Sequence, residues 1–276
     1  MLFQNVIGQR EVKQHLVEMV QHNRLSHALL FLGKEGSGAL PMALAFAQYI
    51  SLLPANNGSA DASLFGDPVE VKLPSTAAEA DAWMQKQSSF PKAEQMVHPD
   101  IHYSYPVITK KAGTPPISTD YASEWREFLQ QYPYGNVYDW LQFIGAENKQ
   151  GNITAHECND IIRKLNLKSF ESEYKILVMW LPEYLGNEGN KLLKLIEEPP
   201  ANTLFILVAE NESMILQTIL SRCQLVKIPM LEPADVEQAL IARNKTELNI
   251  ARQVAGVSEG NYREALQLVQ HADEDW

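Results

Sequence analysis

Three glycines, Gly33, Gly36 and Gly38, stand between the apolar run Ala28-Leu29-Leu30-Phe31-Leu32 and a stretch from Leu40 to Leu53 rich in Ala, Met and Phe. A glycine-rich turn between a buried strand and a helix is where backbone N–H groups converge on phosphate oxygens. A complete phosphate loop also needs a Lys for the terminal phosphates and a Ser or Thr for magnesium. Laid on these glycines, that pattern puts the two residues at Ala39 and Leu40, both apolar. Lys34 lies early in the turn and is not an assured substitute. A phosphate-loop ATPase also ends its central strand in acids that hold magnesium and poise water. Here the run Tyr174 to Leu181 ends in Trp180-Leu181-Pro182-Glu183, so the expected Asp-Glu pair falls on Trp180 and Leu181. Two independent losses at one site argue against intrinsic hydrolysis. The sequence favours a tight strand-to-helix turn over real nucleotide binding. A divergent ATPase built on Lys34 and Glu183 is the alternative.

Other chemistry is sparse. The two cysteines, Cys158 and Cys223, form no CxxC pair, so neither a disulfide framework nor a cysteine-rich zinc site is expected. His98 and His102 are separated by Pro99, and no metal site is expected there. Taken alone, Arg222 reads as a cation near a helix C-terminus that satisfies last-turn carbonyls. The formal net charge of −11 makes the chain a poor nonspecific binder of nucleic acid, so any work near DNA is expected to run through protein partners. No apolar run approaches the roughly 18 residues of a membrane span, and no signal peptide is legible, so a cytoplasmic address is expected.

The 276 residues allow one large core and a smaller second unit. A helix is expected over 5–23, from the spacing of Val12, Leu16, Met19 and Val20, then the strand at 28–32. Residues 54–95 read as a polar insertion or long loop with one helix near 76–87, followed by a strand at 101–107. Residues 108–150 carry Trp125, Tyr132, Tyr134, Tyr138, Trp140 and Phe143, and read as a locally packed surface insertion, with a binding surface as the alternative. A helix over 153–165 with Thr154 as N-cap precedes the strand 174–181. A helix over 187–196, a strand at 203–209, a short helix over 214–220 and a strand at 225–228 follow. Alternating strands and helices predict an α/β fold, a parallel sheet with helices on both faces. After Pro229 only helical patterns remain, so a small all-helical unit is expected over 231–276 beyond a core of 1–230.

Separate blocks in this order resemble one family. Val6-Ile7-Gly8-Gln9, Leu25-Ser26-His27-Ala28 and Phe31-Leu32-Gly33 are similar to the N-terminal signature of bacterial DNA polymerase III clamp-loader subunits, which are AAA+ modules. Asn190 to Pro200 (NKLLKLIEEPP) with Asn202 to Leu207 resembles their central stretch. Thr218-Ile219-Leu220-Ser221-Arg222-Cys223-Gln224 resembles their Ser-Arg-Cys motif. The likeness covers about residues 5–230. Lost phosphate-loop residues beside an intact Ser-Arg-Cys resemble the delta-prime type more than the motor or delta subunits.

The resemblance implies an AAA+ phosphate-loop-type core with a helical lid, a degenerate and empty glycine loop, and no cofactor. It implies that Arg222 acts as an arginine finger in a neighbour's ATP site, with Ser221 and Cys223 orienting it; such fingers are worth roughly 10³–10⁵ in rate. Arg263 resembles the sensor-2 arginine and Asn211 the sensor-1 position, with a structural salt bridge expected of Arg263. Implied partners are gamma/tau-type ATPase and delta subunits, with the sliding clamp and primer-template DNA reached through the complex and no membrane. There are departures from the family. No cysteine lies in 54–97 before His98-Pro99-Asp100, so no zinc is expected, and 108–150 is longer than the family pattern. The chain also stops at Trp276, without the collar domain these subunits continue into, which predicts a shortened form that does not assemble stably alone.

Overall fold

The computed structural model describes residues 1–54 and 72–274; most of the polar stretch opening at Pro54 lies outside them. In chain order the elements are α1 (Arg10–Gln21), β1 (Ala28–Leu32), α2 (Ala39–Ser51), α3 (Ala77–Gln85), α4 (Phe90–Glu94), β2 (Ile101–Ser104), α5 (Ala122–Gln131) and α6 (Val137–Phe143). They continue with α7 (Ala155–Leu165), β3 (Lys175–Trp180), α8 (Gly189–Glu197), β4 (Thr203–Ala209), α9 (Gln217–Leu220), β5 (Gln224–Lys227), α10 (Pro233–Asn244), α11 (Leu248–Val257) and α12 (Tyr262–Glu274).

The strands form one sheet in the order β2-β3-β4-β1-β5, and every pairing is parallel. The three inner strands are continuous apolar runs because each side chain finds a helix layer on its own face. Leu29 and Phe31, Ile176, Val178 and Trp180, and Leu204, Ile206 and Val208 pack with α1, α2, α5 and α6. The alternate residues Ala28 and Leu30, Leu177 and Met179, and Phe205 and Leu207 pack with α7, α8 and α9. A third cluster joins Val236, Leu240, Ala251, Val254, Tyr262 and Ala265 of α10–α12 to Ile7 and Tyr134.

Most of the expected elements form where the pattern placed them, and Thr154 caps α7 by accepting from the Glu157 N–H. The first helix is shorter than expected. Gly8 and Gln9 both have positive φ, and two left-handed residues in a row cannot continue an α-helix. The helix therefore starts at Arg10, and the Gln9 amide is freed to donate to Ser37 O (3.1 Å) and Pro229 O (2.6 Å). The strand expected over 101–107 ends at Ser104, with Pro106, which has no N–H, just beyond; Val107 makes an isolated antiparallel bridge to Asn152.

The aromatic stretch overturns the surface expectation. Trp125, Phe128 and Trp140 are almost wholly buried in the main core. Trp125 stacks on Tyr105 at 4.0 Å and meets Trp180 of β3 at 5.6 Å. Trp140 donates from Nε1 to Pro106 O at 2.7 Å. Only Tyr132 and Tyr138 of the stretch's aromatic residues are strongly exposed. The His98-Pro99-Asp100 segment has a structural task as well. Asp100 accepts the backbone N–H groups of Phe170, Glu171 and Ser172 at 2.7–2.8 Å and so anchors the loop that feeds β3.

Trp140→Ala is expected to lower the unfolding free energy by about 3–5 kcal/mol through lost burial and the cavity left behind. A urea titration reads this as a lower midpoint at an unchanged slope. A loss below about 1 kcal/mol would place the ring outside the core.

Candidate functional site

The glycine turn leaves the C-terminal end of β1 and enters α2. Gly36 and Gly38 have φ of +76° and +94°, a region glycine adopts without strain. A Cβ on Gly36 would fall 1.9 Å from Asn261 Oδ1, and one on Gly38 would meet the Tyr134 ring at 3.1 Å. Gly33 opens the turn, and Ser37 Oγ donates to Lys34 O across it at 2.7 Å. Ala39 and Leu40, at the positions of the missing Lys and hydroxyl, are both buried.

Little open space is left beside the turn. The turn, Pro133, Tyr134, Trp180 and Glu210 line a half-open space of only about 30 Å³. Small-molecule pockets run to roughly 300–1,000 Å³. The Tyr134 hydroxyl accepts the Ile7 N–H at 2.9 Å, and its ring meets that of Tyr262 at 5.1 Å. Burial pushes the Tyr134 phenol up to about 12, so it stays protonated.

A polar clasp closes over the turn. Glu35 accepts from Asn136 Nδ2 at 2.6 Å and from Asn261 Nδ2 at 2.9 Å. The Tyr262 N–H donates to Gly36 O at 3.1 Å. Arg263, the sensor-2-like arginine, forks onto Asp139 with Nε and Nη2 at 2.7 and 2.8 Å, and its Nη1 lies 3.8 Å from Glu35. Burial would raise the Asp139 pKa, but the Arg263 fork and the Asn136 N–H hold the carboxyl below its usual range.

The acidic groups nearby serve the backbone. Leu181 has φ +64°, which turns the chain out of β3 into the short 3₁₀ segment Pro182–Glu188. Glu183 Oε2 accepts from the N–H groups of Glu210 (2.9 Å) and Asn211 (3.1 Å), and burial raises its pKa. Asn211 caps its own turn through the Ser213 N–H at 3.1 Å. Lys34 is exposed.

Arg222 belongs to a different region. β1 and β5 pair with Leu29 opposite Gln224, so Arg222 sits at the N-terminal ends of the strands while the glycine turn leaves the other end. Its Nη1 donates to Thr218 O at 2.9 Å, and its Nη2 pairs with Glu197 Oε1 at 2.7 Å; 40% of the side chain is exposed. The last-turn carbonyl contact expected from sequence is therefore present, joined by an ion pair that the sequence did not announce. Ser221 Oγ donates to Thr218 O at 3.0 Å and lies 3.4 Å from Arg222 Nη1. Burial pushes the Cys223 thiol up to about 11, so it is no nucleophile at neutral pH.

Sequence reasoning missed Glu35, Asn136, Asp139 and Asn261 at the turn. The Asn136-x-x-Asp139 capping box was a local signal for the start of α6, but nothing local pointed to Glu35 or to Asp139 as the partner of the expected Arg263 salt bridge.

A parallel sheet in this order, a glycine turn after the strand between β4 and β5, and a helical unit that reaches back onto that turn define an AAA+-type module. A variant of Thermotoga maritima RuvB shares the fold, with a TM-score of 0.51 at 10% identity, covering 99% of this chain and 64% of that one. The chain belongs to the family described as DNA polymerase III, delta subunit, whose model matches residues 8–63 and 75–232. The match is of the delta-prime type. Bacillus subtilis DNA polymerase III subunit delta' is 25% identical over 260 residues, which cover 94% of this chain and 59% of that protein. The subunit tau of the same organism is 28% identical over 149 residues, covering 50% of this chain and 25% of its own. The DNA polymerase III subunit gamma of Buchnera aphidicola subsp. Acyrthosiphon pisum is 27% identical over 144 residues, covering 50% of this chain and 39% of its own. The chain thus spans about 59% of the length of the delta' relative. Among the described residues, no helix is long and apolar enough to cross a membrane.

One pH dependence follows from the carboxylates beside the turn. Desolvation first, then the facing Glu183 and Glu35, push Glu210 up to about 7 from an ordinary 4.5. A raised carboxyl pKa means that the folded state holds the proton more tightly, so this group subtracts stability as pH rises from about 4.5 to about 7. Glu210→Gln is expected to melt about 2 °C above the parent protein at pH 8 and level with it at pH 4. A melting point at pH 8 equal to or below the parent's would refute the raised pKa.

Proposed function

We propose that this chain is a non-hydrolysing clamp-loader subunit acting in DNA replication, and that it lends Arg222 to the ATP site of a neighbouring gamma/tau-type subunit. The observation that carries the first half is the filled glycine turn. The space of about 30 Å³ at the turn, walled by Tyr134 and Trp180, is far smaller than a nucleotide and supports this reading. Ala39 and Leu40 offer neither a phosphate cation nor a magnesium ligand. Glu35 and Glu210 line the same space, and their charge opposes a polyphosphate. The divergent-ATPase alternative loses some support, because one Glu183 oxygen, Oε2, is engaged by the backbone of 210 and 211.

The second half rests on the family match together with the exposure of Arg222. Arginine cannot deprotonate and presents a planar fork suited to phosphate oxygens. Arg222 lies far along the sheet from this chain's own turn, so a phosphate it meets belongs to another subunit. In this reading residues 1–230 form the core, including the aromatic stretch 108–150, and 231–276 the lid. The glycines Gly33, Gly36 and Gly38 keep the shape of a phosphate loop and bind nothing, no cofactor is needed, and Ser221 and Cys223 orient the finger. Delta and gamma/tau subunits are the direct partners, the clamp and primer-template DNA are reached through the assembly, and the site of action is the cytoplasm.

Two measurements test this. Calorimetric titration of the chain with magnesium-ATP is expected to give no binding in the micromolar range. In a reconstituted loader, Arg222→Ala is expected to reduce turnover at the adjacent ATP site by about 10³-fold or more while assembly is kept. Micromolar binding abolished by Lys34→Ala would restore the ATPase alternative, and unchanged turnover in Arg222→Ala would remove the finger.

A further inference from the structure

Three sequence blocks, far apart in the chain, meet at Arg222. His27 Nε2 lies 2.9 Å from Ile196 O. A carbonyl only accepts, so Nε2 carries the proton and donates. The Ser26 N–H donates to Gln224 Oε1 at 3.3 Å. The Leu25-Ser26-His27-Ala28 block thus holds both the C-terminal end of α8 and the residue after Cys223. The next residue of α8 is Glu197, followed by Glu198-Pro199-Pro200, which ends the helix. Glu197 Oε1 forms an ion pair with Arg222 Nη2 at 2.7 Å, while Thr218 O accepts a hydrogen bond from Nη1 at 2.9 Å.

We propose that Glu197 is a positioning residue for Arg222, fixing the guanidinium before a neighbour's phosphate arrives, with His27 fixing the end of the helix that carries it. This rests on the finger reading. A free arginine spreads over many rotamers, and that freedom must be lost for a phosphate to be held in one geometry. Contacts from two sides remove much of it in advance, as preorganisation requires. Nη1 donates to Thr218 O and lies within 3.4 Å of Ser221 Oγ, Nη2 faces Glu197, and Nε is left for a phosphate together with whatever Nη2 gives up. The group is reachable, since 40% of the Arg222 side chain and 38% of that of Glu197 are exposed. An exposed pair is also weak enough to give way when a more highly charged phosphate competes.

The test is steady-state ATP turnover of a reconstituted clamp loader carrying Glu197→Ala, Glu197→Gln, Arg222→Ala or the double variant Glu197→Ala/Arg222→Ala. Glu197→Ala is expected to lower kcat about 3- to 5-fold at an unchanged KM, the size of an exposed pair. Glu197→Gln, whose amide oxygen still accepts from Arg222, is expected to keep at least half of the parental kcat. In the Arg222→Ala background the Glu197 change is expected to add nothing, because both act through one guanidinium. A kcat in Glu197→Ala equal to or above the parental value overturns the inference, as does a further loss in the double variant. If Arg222→Ala itself leaves turnover unchanged, the finger reading falls and this inference with it. If Arg222→Ala slows the complex and Glu197→Ala does not, only this inference falls.

Discussion

Burying β1, β3 and β4 on both faces requires a layer of helices on each side, and that requirement places everything else. Successive residues of these strands alternate between two separate cores. Neither core can be removed without exposing every second residue of three strands. A residue that changes the register of β1 would therefore move the glycine turn at one end and His27 at the other. Both regions with functional character hang from the ends of the same buried strand.

At the glycine turn the core, the aromatic stretch and the helical unit are tied together by the chain's own side chains. The side chain of Glu35 lies between Asn136 and Asn261, and Arg263 is forked onto Asp139. Core, aromatic stretch and helical unit are joined there by groups that are all charged or hydrogen-bonded. Charge-assisted forks of this kind are among the stronger polar contacts available. Apolar fill completes the arrangement, with Tyr134 against Gly38 and Trp180 at the end of β3. A turn that kept its glycines without these partners would leave an open, acidic cleft between two units.

Much of the architecture was legible because fully buried strands are written as unbroken apolar runs, and because turns are written in Gly, Pro and capping residues. The positions of β1, β3 and β4 followed from that alone. What was illegible depends on contacts between distant residues. Nothing local says that Trp125 and Phe128 pack against Trp180, so a segment that belongs to the core looked like decoration. The break at Gly8 and Gln9 was hidden by a helical spacing that continues through it. The missing lysine, hydroxyl and acids were legible as residue types, but the segment that fills their space was not, since Tyr134 lies about a hundred residues from the turn it closes.

The two ends of β1 also differ in how they use charge. At the turn, Glu35 accepts from two amides, Asp139 from Arg263, and one oxygen of Glu183 from two backbone N–H groups. At the other end, the Arg222–Glu197 pair stands partly in solvent, where such a pair is worth about 1 kcal/mol or less. A contact that weak does little to hold a domain together, and α8 and α9 are already joined by buried side chains of the second core. Its value lies in direction. On the proposed finger reading, it holds one guanidinium at the surface, where a stronger anion from outside would compete for it.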